Sequence, residues 1–233
     1  MQIISFSTED TDFRSPRMGI LLHANGQDTG YRLDCEKLFN KDDRPSDPLA
    51  WFDMDGPWFQ KSRETHDTLI RDEKALPEAV DKGWLVRRQD AYWHAPVPRP
   101  GKILCIGLNY RDHAAESNMQ LPEKPVVFSK FSTAVIAPGD SVVIPSTSQQ
   151  VDYEAELAVV IGRRAKHVPA DRAYEYVLGY TAFNDVSARD FQFSDGQWQR
   201  GKSCDTFAPM GQTIVTTDVI TDYTLSLHDA LPI

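Results

Sequence analysis

The sequence predicts an α+β fold in which strands dominate and a small β-rich domain precedes a larger one. Three observations carry this. After residue 100 the chain is a series of short β-rich runs separated by turn residues. Only two helical stretches interrupt them, near 110–118 and 170–176, which excludes a doubly wound sheet. Before that point HAPVPRPGK carries Pro96, Pro98 and Pro100 in alternation, a stiff linker that continues neither helix nor central strand.

The elements follow in order. In MGILLHANGQDTGYRL, Asn25-Gly26 lies between two apolar stretches and predicts a hairpin. Residues from about 50 to 75, rich in Trp, Phe, Glu, Lys and Arg, predict a helix. The domain boundary is placed near residue 98, giving units 1–97 and 98–222. Beyond it KILCIG, PVVFSKF, SVVIP, EAELAVVIG, VLGYTAF and QTIVTT read as strands, with Pro138-Gly139-Asp140 among the turns.

Composition narrows the classes. The 233 residues are 41% hydrophobic and 25% charged, ordinary for a soluble globular chain. No apolar run approaches the roughly 18 residues of a membrane span. The acidic start MQIISFSTEDTDF has no basic region of a signal peptide. Cys35, Cys105 and Cys204 are too scattered for a disulfide framework or zinc site, and a cytoplasmic location is expected. A net charge of −9 argues against nucleic acid as partner, though not against a small anion at a local basic cluster.

VDYEAELAVV, residues 151–160, places Asp152, Glu154 and Glu156 on one face of a strand, with Tyr153, Ala155 and Leu157 on the other. One reading is an edge strand with an acidic solvent face. The other is a cation site. Adjacent carboxylates repel by roughly 4 kcal/mol per pair at about 4 Å in an effective dielectric of about 20, and a hard dication relieves this.

GQWQRGKS, residues 196–203, fits the P-loop pattern letter for letter. No buried strand precedes it, Pro209 and Gly211 stop any following helix, and Trp198 and Arg200 crowd the loop. A phosphate cradle is therefore not expected. In NYRDHAAES, His113 and Glu116 are i,i+3 neighbours: either a general base with its orienting carboxylate or an exposed surface pair. FNDVSARDFQ puts Asp185 at a strand exit, as a helix cap or a ligand, with Arg189 and Gln192 close behind. Lys202 alone carries no assignment.

GLNYRDHAAE, FSKFST, VDYEAELAVVIG, FNDVSARDFQ and W-Q-R-GKSCDTFAPMG, in that order over about 101–218, resemble the fumarylacetoacetate hydrolase family. The nearest branch is the acylpyruvase-like and oxaloacetate-decarboxylase-like one. The resemblance implies a mixed β-roll core, with Glu154, Glu156 and Asp185 as ligands of Mg²⁺ or Mn²⁺. Asp152 is not a family ligand position. His113 and Glu116 match a catalytic dyad on a lid helix; Arg189, Gln192 and Lys202 match groups that bind or polarise substrate oxygens, Lys202 also being catalytic.

The implied function is metal-dependent C–C hydrolysis of a small anionic 2-oxo acid of the acylpyruvate type, through a pyruvate enolate. Oxaloacetate-type decarboxylase, isomerase and ureidoglycolate lyase are the alternatives within the family; an inactive metal-binding fragment is the alternative outside it. The full-length protein is expected to be a homodimer. Residues 223–233 are expected to be a non-native tail and the catalytic domain incomplete. Family members continue past this point, and Thr224–Ile233 equals one reading frame of a widely used sequencing adapter. His228 and Asp229 are accordingly expected to have no catalytic role.

Overall fold

The computed structural model describes residues 1–9, 15–24, 26–72, 74–109 and 122–220. The expected helix near 110–118, with His113 and Glu116, and the tail 223–233 lie outside the described residues.

Strand β1 (Gln2–Ser7) is buried along almost its whole length and anchors the main sheet. It pairs antiparallel with β2 (Arg17–Ala24), which turns through Gly26 into β3 (Gln27–Asp34). Gly26 has φ +76°, the left-handed geometry the hairpin signal asks for. β4 (Leu85–Arg87) follows β3, and β5 (Tyr92–His94) pairs with the far half of β1.

Helix α1 (Pro57–Arg71) starts with proline at its first turn and buries Phe59, Ser62, His66 and Leu69, a spacing of three to four residues. A short helix α2 (Ala75–Asp81) follows.

The second half adds β6 (Ile103–Gly107) and β7 (Val126–Lys130), an antiparallel pair by itself. Then come β8 (Val135–Ile136), β9 (Val151–Asp152), β10 (Ala155–Ile161) and β11 (Val177–Asn184). β12 (Ser187–Ala188), helices α3 (Arg189–Ser194) and α4 (Trp198–Lys202), β13 (Ala208–Pro209), β14 (Ile214–Thr216) and helix α5 (Thr217–Ile220) complete it. The main sheet runs β10-β11-β14-β1-β2-β3-β4, so it crosses the position near residue 98 where two domains are expected. The principal core does the same. Ile3, Ile20, Leu33 and Phe59 pack with Leu178 of β11 and Ile214 of β14. Full burial of each such side chain is worth about 1.5–3 kcal/mol.

The fold is therefore α+β, β-dominated, with mixed strands, and its sheets are not closed among the described residues. Four expectations need correction. SVVIP forms no strand: the backbone N–H of Val143 donates to Thr206 Oγ1 at 2.8 Å, a side-chain acceptor rather than a neighbouring strand. Residues 170–176 form a 3₁₀ turn. Two short helices, α3 and α4, occupy 189–202 where none is expected.

The run VDYEAELAVV is two strands. It breaks at Tyr153–Glu154, where the Glu154 N–H donates to Asn184 Oδ1 at 3.1 Å and the Glu154 carbonyl accepts from the Asp185 N–H at 2.9 Å. Along β10 the acidic face is the covered one, carrying Glu156, Ala158 and Val160. The apolar face, with Leu157, Val159 and Ile161, is exposed.

Candidate active site

The break between β9 and β10 and the exit of β11 meet at one end of an open cavity of about 1920 Å³. Glu154, Glu156, Asp185, Arg189, Gln192 and Lys202 all line it. They come from three stretches separated by up to 48 residues, and a side-chain hydrogen bond ties the first stretch to the last.

Asp185 ends β11. Its carbonyl accepts from Ser187 Oγ at 2.9 Å, fixing the turn into β12. Its carboxylate is buried and held from both sides: Oδ1 accepts from Lys130 Nζ at 2.6 Å and Oδ2 from Lys202 Nζ at 2.9 Å. Lys202 Nζ also donates to Glu154 Oε2 at 2.7 Å, and it lies 5.0 Å from the centre of the Phe128 ring. One ammonium therefore sits where carboxylate oxygens of two chain segments converge.

Glu154 Oε1 meets the Arg189 guanidinium at 2.7 Å. Arg189 is tied in turn to Asp152 Oδ2 by Nε at 3.0 Å and Nη2 at 2.7 Å, and donates from Nη1 to Gln192 Oε1 at 2.9 Å. Asp152 is thus the residue that aims Arg189. That settles its placement: it pairs across to Ser187 on β12, off the β10 strand.

Lys202 reaches this point because α4 lies hard against α3. Gly201 allows it: a Cβ there would stand 2.7 Å from the Ala188 carbonyl oxygen and 2.7 Å from the Gln192 nitrogen. A polar chain fixes α4 on β7. Ser129 Oγ donates to Gln199 Oε1 at 2.7 Å, Gln199 Nε2 donates to Ser203 Oγ at 2.6 Å, and Ser203 Oγ accepts from the Phe131 N–H at 3.1 Å. Trp198 packs edge-on against Phe128 at 5.3 Å, making an aromatic wall beside Lys202. With Lys202 buried among carboxylates, the P-loop letters form no phosphate cradle.

The electrostatics are those of a crowded, half-dry site. Burial pushes the Lys130 ammonium below its ordinary pKa, opposed by the charge of Asp185. Burial also pushes the Cys105 thiol up to about 12, with Asp185 adding in the same sense.

The donor chemistry suits a hard dication, since Glu154, Glu156 and Asp185 offer carboxylate oxygens. Glu154 and Asp185 already converge on one positive centre. Glu156 lies two residues beyond Glu154, in β10, and lines the same cavity. Among the described residues, however, no three His, Cys, Asp or Glu side chains are gathered closely enough to hold a metal ion.

His113 and Glu116 lie outside the described residues. Leu108, at φ +54°, and Asn109 follow β6 and line the cavity. Sequence reasoning assigned no role to Lys130. Its signal was a lone lysine within the apolar run PVVFSKF.

The family profile described as fumarylacetoacetate (FAA) hydrolase, C-terminal, matches residues 102–230. A Xenopus laevis protein named oxaloacetate tautomerase fahd2, mitochondrial, is 38% identical over 224 residues, 95% of this chain and 64% of that protein. The Rattus norvegicus oxaloacetate tautomerase Fahd2a, mitochondrial, is 48% identical over 139 residues, 59% of this chain and 44% of that protein. Among solved structures, the 5-carboxymethyl-2-hydroxymuconate delta-isomerase from Mycobacterium smegmatis is 31% identical with a TM-score of 0.63, covering 93% of this chain and 67% of that one.

The chain therefore spans only 44–64% of the length of these two curated relatives. Their mitochondrial names overturn the expectation of a cytoplasmic location, which rested on scattered cysteines and an acidic start. No helix among the described residues is long and apolar enough to cross a membrane. Enzymes named for small acids recur among these relatives, as an oxaloacetate tautomerase and a 5-carboxymethyl-2-hydroxymuconate isomerase. With more than half its length matched by the family profile, the chain belongs to the fumarylacetoacetate hydrolase family.

Proposed function

We propose that this chain acts on a small, enolisable 2-oxo acid, with keto–enol tautomerisation or isomerisation of an oxaloacetate-like diacid as its reaction. The observation that carries the reading is the Lys202 ammonium, buried in the cavity between Glu154 and Asp185 with Arg189 adjacent. Positive groups set among carboxylates beside an open cavity suit an anion that gains charge at its keto oxygen as it reacts. The names of the Xenopus and Mycobacterium relatives support the same class.

In this reading Glu154, Glu156 and Asp185 hold Mg²⁺ or Mn²⁺. When bound, the dication supplies Lewis-acid polarisation of the keto oxygen. Arg189 and the Gln192 carboxamide take the substrate carboxylate, with Asp152 keeping the guanidinium aimed. Lys202 faces the oxygen on which enolate charge grows; a preorganised donor of this kind is typically worth about 2.7–4 kcal/mol. His113, oriented by Glu116, moves the proton at C3. The aromatic wall of Phe128 and Trp198 beside Lys202 favours a second reading, C–C hydrolysis of an acylpyruvate whose apolar arm lies on those rings. There His113 takes its proton from water instead.

One panel separates these readings. Enol-oxaloacetate decay, followed by ultraviolet absorbance, and acylpyruvate cleavage, followed by pyruvate release, are measured with Mg²⁺ on the same preparation. Acceleration of the first supports tautomerisation, and of the second, hydrolysis. Metal binding without turnover of any 2-oxo acid would leave the inactive metal-binding alternative standing and sink both catalytic readings.

A further inference from the structure

Two lysines hold the Asp185 carboxylate, and they differ in one respect. Lys202 lines the cavity; Lys130 does not. The Lys130 side chain is 0% exposed, at the end of β7. Nζ donates to Asp185 Oδ1 at 2.6 Å and to the Val186 carbonyl at 3.0 Å. It thus grips one oxygen of the carboxylate and the peptide immediately after it.

A carboxylate at a strand exit turns about its terminal bond unless something fixes it, because that torsion is broad. With Oδ1 pinned, Oδ2 is left facing Lys202 Nζ and, across it, Glu154 Oε2. A buried ammonium is costly to maintain, and no solvent competes for it here. We infer that Lys130 is a positioning residue: by holding one oxygen of Asp185 it fixes the plane of the carboxylate, so that the other oxygen is presented to the cation shared with Glu154. This rests on the reading of Glu154 and Asp185 as holders of a divalent cation.

The test is calorimetric titration of Mn²⁺ into the wild type, Glu154→Ala, Lys130→Met, Lys130→Gln and Lys130→Arg. Circular dichroism serves as the fold control, and the electron paramagnetic resonance spectrum of bound Mn²⁺ as a second readout. Loss of partners that orient metal ligands typically weakens binding by about 10–100-fold, and that is expected for Lys130→Met. Lys130→Gln keeps two N–H donors and is expected to recover part of the loss. Lys130→Arg keeps the charge but offers a wider planar fork, so it is expected to bind Mn²⁺ more weakly with an altered spectrum. If Lys130→Met does not fold, Lys130→Gln and Lys130→Arg decide. Wild-type affinity and spectrum in the folded Lys130 variants would overturn the inference alone. No Mn²⁺ binding by the wild type, or binding unchanged in Glu154→Ala, would overturn the metal reading and the inference with it.

Discussion

Replacing Gly201 by alanine sets two physical effects against each other. Gly201 lies in helix α4 with no positive φ to excuse it, so helix propensity alone predicts stabilisation by about 0.5–1 kcal/mol. The packing predicts the opposite. The added Cβ would stand 2.7 Å from the Ala188 oxygen, 2.7 Å from the Gln192 nitrogen and 2.9 Å from the Gln192 Cα, all backbone atoms. Ordinary contact begins near 3.4 Å, so α4 must retreat from α3 by about 0.7 Å. Overpacking of this kind costs about 1–3 kcal/mol, which exceeds the propensity gain.

The retreat carries Lys202, the next residue, with it. Its bonds of 2.7 Å to Glu154 and 2.9 Å to Asp185 cannot both survive. A displacement of about 1 Å at a positioning group costs on the order of 100-fold in rate. Gly201→Ala is therefore expected to lower the urea midpoint and to reduce kcat on oxaloacetate by about that factor. Paired urea and steady-state measurements check it. A variant with raised stability and unchanged kcat would refute the packing argument.

Glu154→Ala and Glu156→Ala are each expected to weaken Mn²⁺ binding by at least about 10–100-fold and to abolish metal-dependent turnover; unaltered affinity in both removes the metal assignment. His113→Ala is expected to stop acylpyruvate hydrolysis while sparing Mn²⁺ affinity, and wild-type hydrolytic kcat in that variant would remove the dyad. Burial lowers the proton affinity of His66 and His94 in the folded state, so below the ordinary imidazole value of about 6.5 the unfolded chain binds more protons. Stability to urea is therefore expected to fall as pH drops from about 7 to about 5, and to fall less in a His66→Phe, His94→Phe double variant; equal slopes would contradict it.

Much of the site was legible because strand periodicity is a strong signal. Glu156 is half-buried while Ala155 and Leu157 on either side of it are exposed, as alternation requires. The Asn25-Gly26 dipeptide marked the β2–β3 turn, and the stretch from about 50 to 75, rich in Trp, Phe, Glu, Lys and Arg, marked α1, which occupies Pro57–Arg71. What failed depends on contacts distant in sequence. Nothing local in VDYEAELAVV announces the break at Glu154, which is made by Asn184 and Asp185 across the sheet. Helices of five and six residues have little propensity of their own, and α4 is held by Gly201 packing on α3 and by the Ser129–Gln199–Ser203 chain. SVVIP has strand-like residues but no partner strand among the described residues. Lys130 gains a meaning only beside Asp185, which is 55 residues away.

The central claim is that this site makes an enolate from a 2-oxo acid, and solvent deuterium reads that step whatever the final product. Oxaloacetate is incubated in D₂O with Mg²⁺, with and without the protein, and loss of the C3 protons is followed by proton NMR. Acid–base catalysis at a positioned group is typically worth about 10²–10⁴-fold, so exchange at least about 100-fold faster than with Mg²⁺ alone is predicted for the wild type. In Glu154→Gln that acceleration is predicted to vanish. Exchange at the rate set by Mg²⁺ alone, in the presence of folded, metal-loaded wild-type protein, would contradict the account.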